Sequence, residues 1–274
     1  MSSWKQSIRR VVEYLSRGVV LRRRLPKAFG DGHIYLTPAA RLTYWKPNIA
    51  VQESFLFEMA DLLVSPGDAV WDVGSNNGVF AVAAASRAGA QGEVLAFEPD
   101  TWMGSLVRRT AAELSCSYAA IDVLNVAVAE KLGLAEFAIA ARGRAANHLV
   151  QAGGSPVSGG VRMKYRVLTV SLDDMLSCAR PPKVVKIDVE WAEHLAFRGA
   201  QGLLRDVRPR IVCEVQPKHA EELTRCAVAH EYCLFDAEGK TARPKRVQQA
   251  VHNTLFLPRE DPLVGSLDER DGSQ

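Results

Sequence analysis

The stretch Ala69-Val-Trp-Asp-Val-Gly-Ser-Asn-Asn-Gly-Val-Phe80, followed by Glu93-Val-Leu-Ala-Phe-Glu98-Pro99, decides how the rest of the chain is read. A short apolar run ends in Asp72, a turn bracketed by Gly74 and Gly78 follows, and apolar residues then continue as the start of a helix. A second apolar run ends in Glu98, 26 residues after Asp72. Strand, tight turn, helix, strand and terminal carboxylate, in that order, build a nucleoside pocket at the carboxyl ends of a parallel sheet. Gly74 and Gly78 let the backbone approach a ligand and take positive φ, and Asn76 tolerates the left-handed region better than most residues.

The chemistry of that pocket follows from its side chains. Free N–H groups at the helix start suit a carboxylate. Asp72 suits an ammonium group, directly or through water, or else caps a turn. Glu98 suits the two hydroxyls of a ribose and disfavours a phosphate in their place. Asn76 and Val79 stand where a dinucleotide fingerprint needs its second and third glycines, so that fingerprint fails. Together these features point to S-adenosyl-L-methionine, its adenine beside the third strand near Asn125 and Ala127, unless Asn125 is a strand Asn satisfied by backbone.

Working outward, alternating strand and helix patterns predict parallel βαβ units with right-handed crossovers. Strands are expected at Ala69 to Val73, Glu93 to Phe97, Val123 to Val128, Val184 to Asp188, Ile211 to Val215, Tyr232 to Asp236 and Asn253 to Leu257. An irregular insertion between the third and fourth holds strand-like runs at Leu134 to Ala140 and Val161 to Val170, joined by an exposed Gly/Ser-rich loop from Gly153 to Gly160. A helix is expected over Val51 to Val64, and a hairpin over His33 to Tyr44, broken around Thr37-Pro38. The reading divides the chain into an extension over residues 1–50, a main domain over 51–258 and a loose tail over 259–274.

The 274 residues are 47% apolar and carry a net charge of +3, enough to bury one large core and too little to argue for nucleic acid. Cys116, Cys178, Cys213, Cys226 and Cys233 include no C-x-x-C pair and read as buried free thiols of a reducing cytosol. No apolar run approaches the length of about 18 residues that a membrane span needs, so a soluble cytoplasmic protein is expected. The charge is uneven, however. Lys5, Arg9, Arg10, Arg17, Arg22, Arg23, Arg24 and Lys27 crowd the start, with Ile8, Val11, Val12, Leu15 and Val19 at helical spacing among them. This basic amphipathic helix is either a packing helix with solvated cations or a weak peripheral contact with an anionic membrane.

Beyond the cofactor turn, Lys186-Ile-Asp188-Val-Glu190-Trp191-Ala-Glu193-His194 sets three acids and a histidine just past a buried strand. Its end faces the same crevice as Gly74 and Glu98. Asp188, Glu190 and His194 are the candidates to take a proton from an attacking hydroxyl, with Glu193 also in reach. Asp-x-Glu can also hold a divalent cation, though the pattern assigns no metal ligand. Glu214, an acid inside an apolar run, either faces the acceptor or pairs with Arg210 or Lys186. His148 and His219 sit in loops near plausible substrate positions.

Six blocks in order resemble the FkbM-type methyltransferases: Trp71-Asp-Val-Gly-Ser-Asn-Asn-Gly, Ala96-Phe-Glu-Pro-Asp100, Ser171-Leu-Asp-Asp174, Lys186-Ile-Asp-Val-Glu190 with Ala192-Glu193, Arg208-Pro-Arg-Ile-Val-Cys-Glu214 and Asn253-Thr-Leu-Phe. The resemblance spans roughly residues 50 to 258. It implies a seven-stranded α/β sheet of the class I methyltransferase (Rossmann-like) kind with the last strand antiparallel. It also implies methylation of hydroxyl oxygens of sugars and natural products. By it, Gly74, Ser75, Asn76, Gly78 and Glu98 line the cofactor site, and Asp188 to Glu193 lie where cofactor and acceptor meet. Trp191 departs from the pattern, which usually has glycine there, so its ring either reshapes the acceptor pocket or packs outward.

The leading expectation is therefore an S-adenosylmethionine-dependent O-methyltransferase of a small or glycosidic acceptor. A nicotinamide-dependent oxidoreductase is opposed by the missing glycines. A non-catalytic, membrane-peripheral protein that keeps the fold is favoured only if Trp191 blocks the acceptor side.

Overall fold

The computed structural model of the chain describes residues 3–154, 159–238 and 243–271. Helix α1 (Ser3–Leu15) leads into a hairpin of β1 (Leu21–Arg24) and β2 (His33–Leu36), paired Leu21 to Leu36 and Arg24 to His33. This corrects the expected hairpin. Only its first strand forms, and Leu42–Trp45 is a 3₁₀ turn that packs Tyr44 inward. Helices α2 (Ile49–Gln52) and α3 (Ser54–Leu63) then deliver the chain to the main sheet.

The sheet begins with β3 (Ala69–Val73), α4 (Val79–Ala88), β4 (Glu93–Phe97), α5 (Thr101–Ala111) and β5 (Ala120–Leu124), the three strands parallel. Every residue of β3 is buried, as a parallel strand covered on both faces requires. The third strand is earlier than expected. The chain leaves the sheet after Leu124, whose carbonyl accepts from Glu98 N, and Ala127–Val128 becomes β6 of a separate sheet. With β7 (Gly133–Ala140), β8 (His148–Leu149) and β9 (Val161–Val170) it makes the order β6-β9-β7-β8, which accounts for the irregular insertion. The Gly/Ser-rich loop expected there falls partly on residues 155–158, outside the described residues.

The chain returns through α6 (Leu172–Met175), closed by a capping box of Ser171 and Asp174, to β10 (Val184–Ile187) beside β3. Then follow α7 (Glu193–Arg198), β11 (Arg210–Glu214), α8 (Ala220–Ala229), β12 (Tyr232–Asp236), β13 (Lys245–Val247) and β14 (Asn253–Pro258). The order is β13-β12-β14-β11-β10-β3-β4-β5, with β14 inserted antiparallel between β11 and β12. The last strand is thus antiparallel, and β13 adds an eighth at the edge beside the seven expected.

Helices α3, α4 and α5 cover one face, where Leu63, Phe80 and Val107 meet Val70 and Val94. Helices α6, α7 and α8 cover the other, where Leu172, Phe197 and Leu223 meet Trp71, Ile187 and Phe256. Residues Pro262–Asp271 form helix α9 rather than a loose tail, and Val264 buries itself in the first of these clusters with Leu263 and Leu267 against it. Residues 272–274 lie outside the described residues.

Candidate active site

The carboxyl ends of β3, β4, β10 and β11 converge on one cavity of about 490 Å³. Its first wall is the turn after β3. Gly74 (φ 76°), Asn76 (φ 52°) and Gly78 (φ 76°) all take left-handed backbone, so the glycine and Asn requirement read from sequence is met by geometry. A Cβ on Gly74 would lie 1.9 Å from the carbonyl oxygen of Asp188, so the two strand tips touch only because this residue has no side chain.

Glu98 lies opposite. Its Oε2 accepts from Asn76 N and its Oε1 from Asp100 N, both at 2.8 Å, which ties the tips of β3 and β4 together. A carboxylate has about four acceptor positions, so one on each oxygen remains for a pair of hydroxyls. Burial pushes this carboxyl up to about 8, although the two backbone amides oppose the shift.

Asp100, itself buried, caps α5 through Trp102 N. It also accepts from Arg144 and, at 3.0 Å, from Asn147 Nδ2. The Arg144 guanidinium lies 4.6 Å from the Trp102 ring centroid. Residues 144–149 are thereby pinned across the cavity beside Pro99, with Arg144, Asn147 and the buried His148 in its wall.

The floor is Lys186, almost fully buried in β10. Its Nζ donates to Gly74 O at 2.7 Å and lies 3.2 Å from Asp72 Oδ1 and 3.6 Å from Asp188 Oδ2. Burial pulls this ammonium down, but Asp72 and Asp188 overcome it and hold it above its ordinary range. Asp188, Glu190 and Glu214 each bring a carboxylate oxygen within 4.8 Å of the others. Burial, then the neighbouring carboxylates, pushes Glu190 up to about 8. Burial and Asp188 likewise push Glu214 up to about 7, against Lys186. The outer wall adds Arg41, paired with Glu53 at 2.7 Å, and Asn253, which donates to Glu238 at 2.5 Å.

Of the residues singled out from sequence, Gly74, Ser75, Asn76, Glu98, Ala127, Asp188, Glu190 and Glu214 line this cavity. Gly78 stands behind it as the N-cap of α4. Others are elsewhere. Asp72 is fully buried beneath the turn, where its carboxylate takes Ala81 N at 3.0 Å and Lys186. Asn125 does not line the cavity; its Nδ2 donates to Glu98 O at 2.8 Å and braces the loop from behind, as a strand Asn satisfied by backbone does. Glu193 is buried and accepts from Gln216 N at 2.6 Å. His194 stacks on His219 at 3.9 Å, outside the cavity wall, and burial and His219 bring it down to about 4.

The cause is one turn. Glu190 (φ 27°) and Trp191 (φ 71°) are consecutive positive-φ residues. They leave Glu190 in the cavity wall and turn Trp191 out against Lys218, whose Nζ is 4.4 Å from the ring centroid. The ring therefore neither narrows nor blocks the cavity. A φ of 71° at position 191 also explains why glycine suits this place. Nor does Glu214 pair as its sequence neighbours suggest: Arg210 binds Asp261 at 2.7 Å, and Glu214 faces His252 at 3.8 Å.

Sequence reasoning missed Asn77, Arg41, Tyr44, Arg144 and Asn147 in the wall, and it treated Lys186 only as a partner for Glu214. For Lys186 there was a signal, since a lysine inside an apolar strand needs a buried counter-charge. Asn77 sits in the Gly74 to Gly78 turn itself, beside the residues singled out there; the others come from segments distant in sequence and carry none.

The sequence family described as "Methyltransferase FkbM domain" matches residues 72–238, more than half of the chain. The chain belongs to this family. An FkbM methyltransferase from Methylobacillus flagellatus is similar in structure, with 14% identity and a TM-score of 0.48 over 73% of this chain and 47% of that one. The chain thus spans about half the length of that relative. An S-adenosylmethionine-dependent O-methyltransferase from Thermotoga maritima is similar at 12% identity and a TM-score of 0.42, over 88% of this chain and 78% of that one. A precorrin-6y C5,15-methyltransferase from Geobacter metallireducens has 11% identity and a TM-score of 0.42, over 75% and 86% of the two chains. No curated protein sequence matches the chain. Among the described residues no helix is long and apolar enough to cross a membrane.

The residues present fit a nucleoside cofactor. Ser75 Oγ is buried in the cavity wall with no hydrogen-bond partner, beside the Gly74 turn and the Glu98 carboxylate. A buried hydroxyl left alone in a polar pocket is a group awaiting a ligand atom.

Proposed function

We propose that the chain is an S-adenosylmethionine-dependent O-methyltransferase acting on a hydroxyl of a small molecule, sugar or natural product. What supports the reading above all is one cavity that joins the Gly74 to Asn77 turn and Glu98 on one side to Asp188, Glu190 and Glu214 on the other. S-adenosylmethionine, when bound, supplies an electrophilic methyl group. In this reading Gly74, Ser75 and Asn76 hold the amino-acid end and Glu98 the ribose, while Ala127 borders the adenine. Asp72 acts at one remove, by holding Lys186 under the turn.

Glu190, or Glu214 beside it, takes the proton from the acceptor hydroxyl. A base works best when its pKa lies near the working pH, and shifts to about 8 and about 7 put these two carboxyls there. Asp188 stays paired with Lys186 and orients the acceptor. Much of the rate then comes from holding the two reactants in line. No metal ligand is assigned: Lys186 already supplies a positive charge to this cluster.

Titration calorimetry with S-adenosylhomocysteine tests the cofactor half. Binding should tighten as pH rises through 8, where Glu98 ionises to accept both hydroxyls. Glu98→Gln should lose about tenfold in affinity, about 1.4 kcal/mol, together with that pH dependence. Glu190→Gln should lower kcat and flatten its rise with pH while leaving that affinity unchanged. Binding of NADH but not of S-adenosylhomocysteine would overturn the assignment.

A further inference from the structure

Helix α1 is mounted with its faces reversed. A helix on a protein surface turns its apolar stripe to the core and its polar face to water. Here the polar face meets the body. Glu13 pairs with Arg142 at 2.8 Å, the fully buried Ser16 just past the helix end receives Trp45 Nε1 at 3.1 Å, and Arg17 donates to Ala141 O at 3.2 Å. The apolar face looks outward. Trp4, Val11 and Leu15 are 70%, 57% and 67% exposed. At 3.6 residues per turn they fall within about 40° of one another around the axis. Tyr14, 65% exposed, flanks them with the Arg17 guanidinium 5.0 Å from its ring centroid.

We propose that this stripe inserts into the surface of an anionic lipid bilayer. The occupant follows from charge. The first 27 residues carry Lys5, Arg9, Arg10, Arg17, Arg22, Arg23, Arg24 and Lys27 against one acid, Glu13, which is already engaged by Arg9 and Arg142; Arg22 is paired with Glu113 at 3.1 Å and Arg23 turns in to the Tyr44 carbonyl, and the sequence still leaves an excess of cations at this end. A second copy docking on the stripe would set these cations against their own kind. A sheet of anionic headgroups neutralises them while the acyl boundary takes up the apolar residues. Trp4 and Tyr14 have the apolar body and polar edge that suit the headgroup level.

The site gains from this placement. Arg142 and Ala141 lead into Arg144 in the cavity wall, and Trp45 follows Tyr44 in the same wall, so α1 rests on two segments that enclose the cavity.

The full-length chain is tested by co-sedimentation with vesicles of phosphatidylglycerol and phosphatidylcholine, and with vesicles of phosphatidylcholine alone. Binding should be at least tenfold stronger to the mixed vesicles and should fall as salt rises to about 0.5 M. Replacing the stripe by Trp4→Ser, Val11→Ser and Leu15→Ser should weaken binding by at least about tenfold. These side chains are exposed, so the variant should keep the wild-type melting temperature and S-adenosylhomocysteine affinity, which separates this inference from the proposed activity. Equal binding to both vesicles, wild-type binding by the triple variant, or no vesicle binding with a stripe-dependent dimer in sedimentation would overturn it.

Discussion

Lys186→Met puts the floor of the site to its hardest test. The ammonium is almost fully buried and holds three groups at once: Asp72 at 3.2 Å, Asp188 at 3.6 Å and the Gly74 carbonyl at 2.7 Å. Methionine has nearly the same length and fills the space, so no cavity opens. What is lost is charge. Asp72 is fully buried, and its one remaining contact is Ala81 N at 3.0 Å. Removing one partner of a buried ion pair costs about 3–5 kcal/mol, because the other charge is left without compensation. At roughly 2–4 °C per kcal/mol for a chain of this size, melting should fall by about 6–20 °C. The deficit should depend on pH with a definite sign. Burial pushes the Asp72 carboxyl up, and without Lys186 only the Ala81 amide opposes it. A carboxyl raised in the folded state contributes stability below its unfolded pKa and loses it as pH rises through the folded value. The variant should therefore come closest to wild type near pH 5 and fall furthest behind at pH 8. Adding Asp72→Asn removes the stranded charge and should recover part of the loss, giving a clear coupling energy. Calorimetric melting of the four proteins at both pH values decides. Melting of Lys186→Met within about 2 °C of wild type at pH 8, or strict additivity with Asp72→Asn, would refute the view that Lys186 is the counter-charge holding these strand ends together.

Two further outcomes follow from the backbone around it. Gly74→Ala should destabilise by about 2–5 kcal/mol and abolish S-adenosylhomocysteine binding, since its Cβ would meet Asp188 O at 1.9 Å in a backbone that already disfavours a side chain; thermal melting and calorimetry read both effects. Trp191→Gly should leave acceptor KM unchanged and cost about 1–2 kcal/mol of stability, because relief of the left-handed strain offsets only part of the ring's lost contacts with Lys218 and with the small apolar cluster around Phe137 and Ala192; a large change in KM would put the ring in the acceptor site after all.

The strands that build the site were legible because each is a short apolar run between breakers, and a parallel strand buried on both faces leaves just that pattern. Ala69–Val73, Glu93–Phe97 and Tyr232–Asp236 have the boundaries their apolar runs predict. The third strand did not, because Val123 to Val128 is apolar apart from Asn125 and joins two sheets. The break at Asn125 is made by a side chain reaching back to Glu98 O, a tertiary contact that no local pattern encodes. The same holds for α9, whose weak amphipathic pattern and flanking polar residues read as a tail until Val264 is seen to reach the core.

Side chains at strand ends followed a similar rule. Those within the turn, at the last position of a strand or one residue past it, point where topology sends them, so Ser75, Glu98, Asp188 and Glu214 reach the cavity. Past Asp188 the direction of each side chain depends on φ at Glu190 and Trp191. A tryptophan at a left-handed position is the least expected residue there. Continuing the extended strand through it would aim alternate side chains into the crevice and bring Glu193 or His194 within reach of the acceptor. The double left-handed turn sends Glu193 to Gln216 N and His194 to His219, and of the three candidates beyond Asp188 it leaves only Glu190 in the cavity wall. In the proposed reaction the choice of base therefore rests on two backbone angles rather than on which residue has the most suitable ordinary pKa, and these angles are why that proposal passes over the histidine, the better base in free solution, for a buried glutamate.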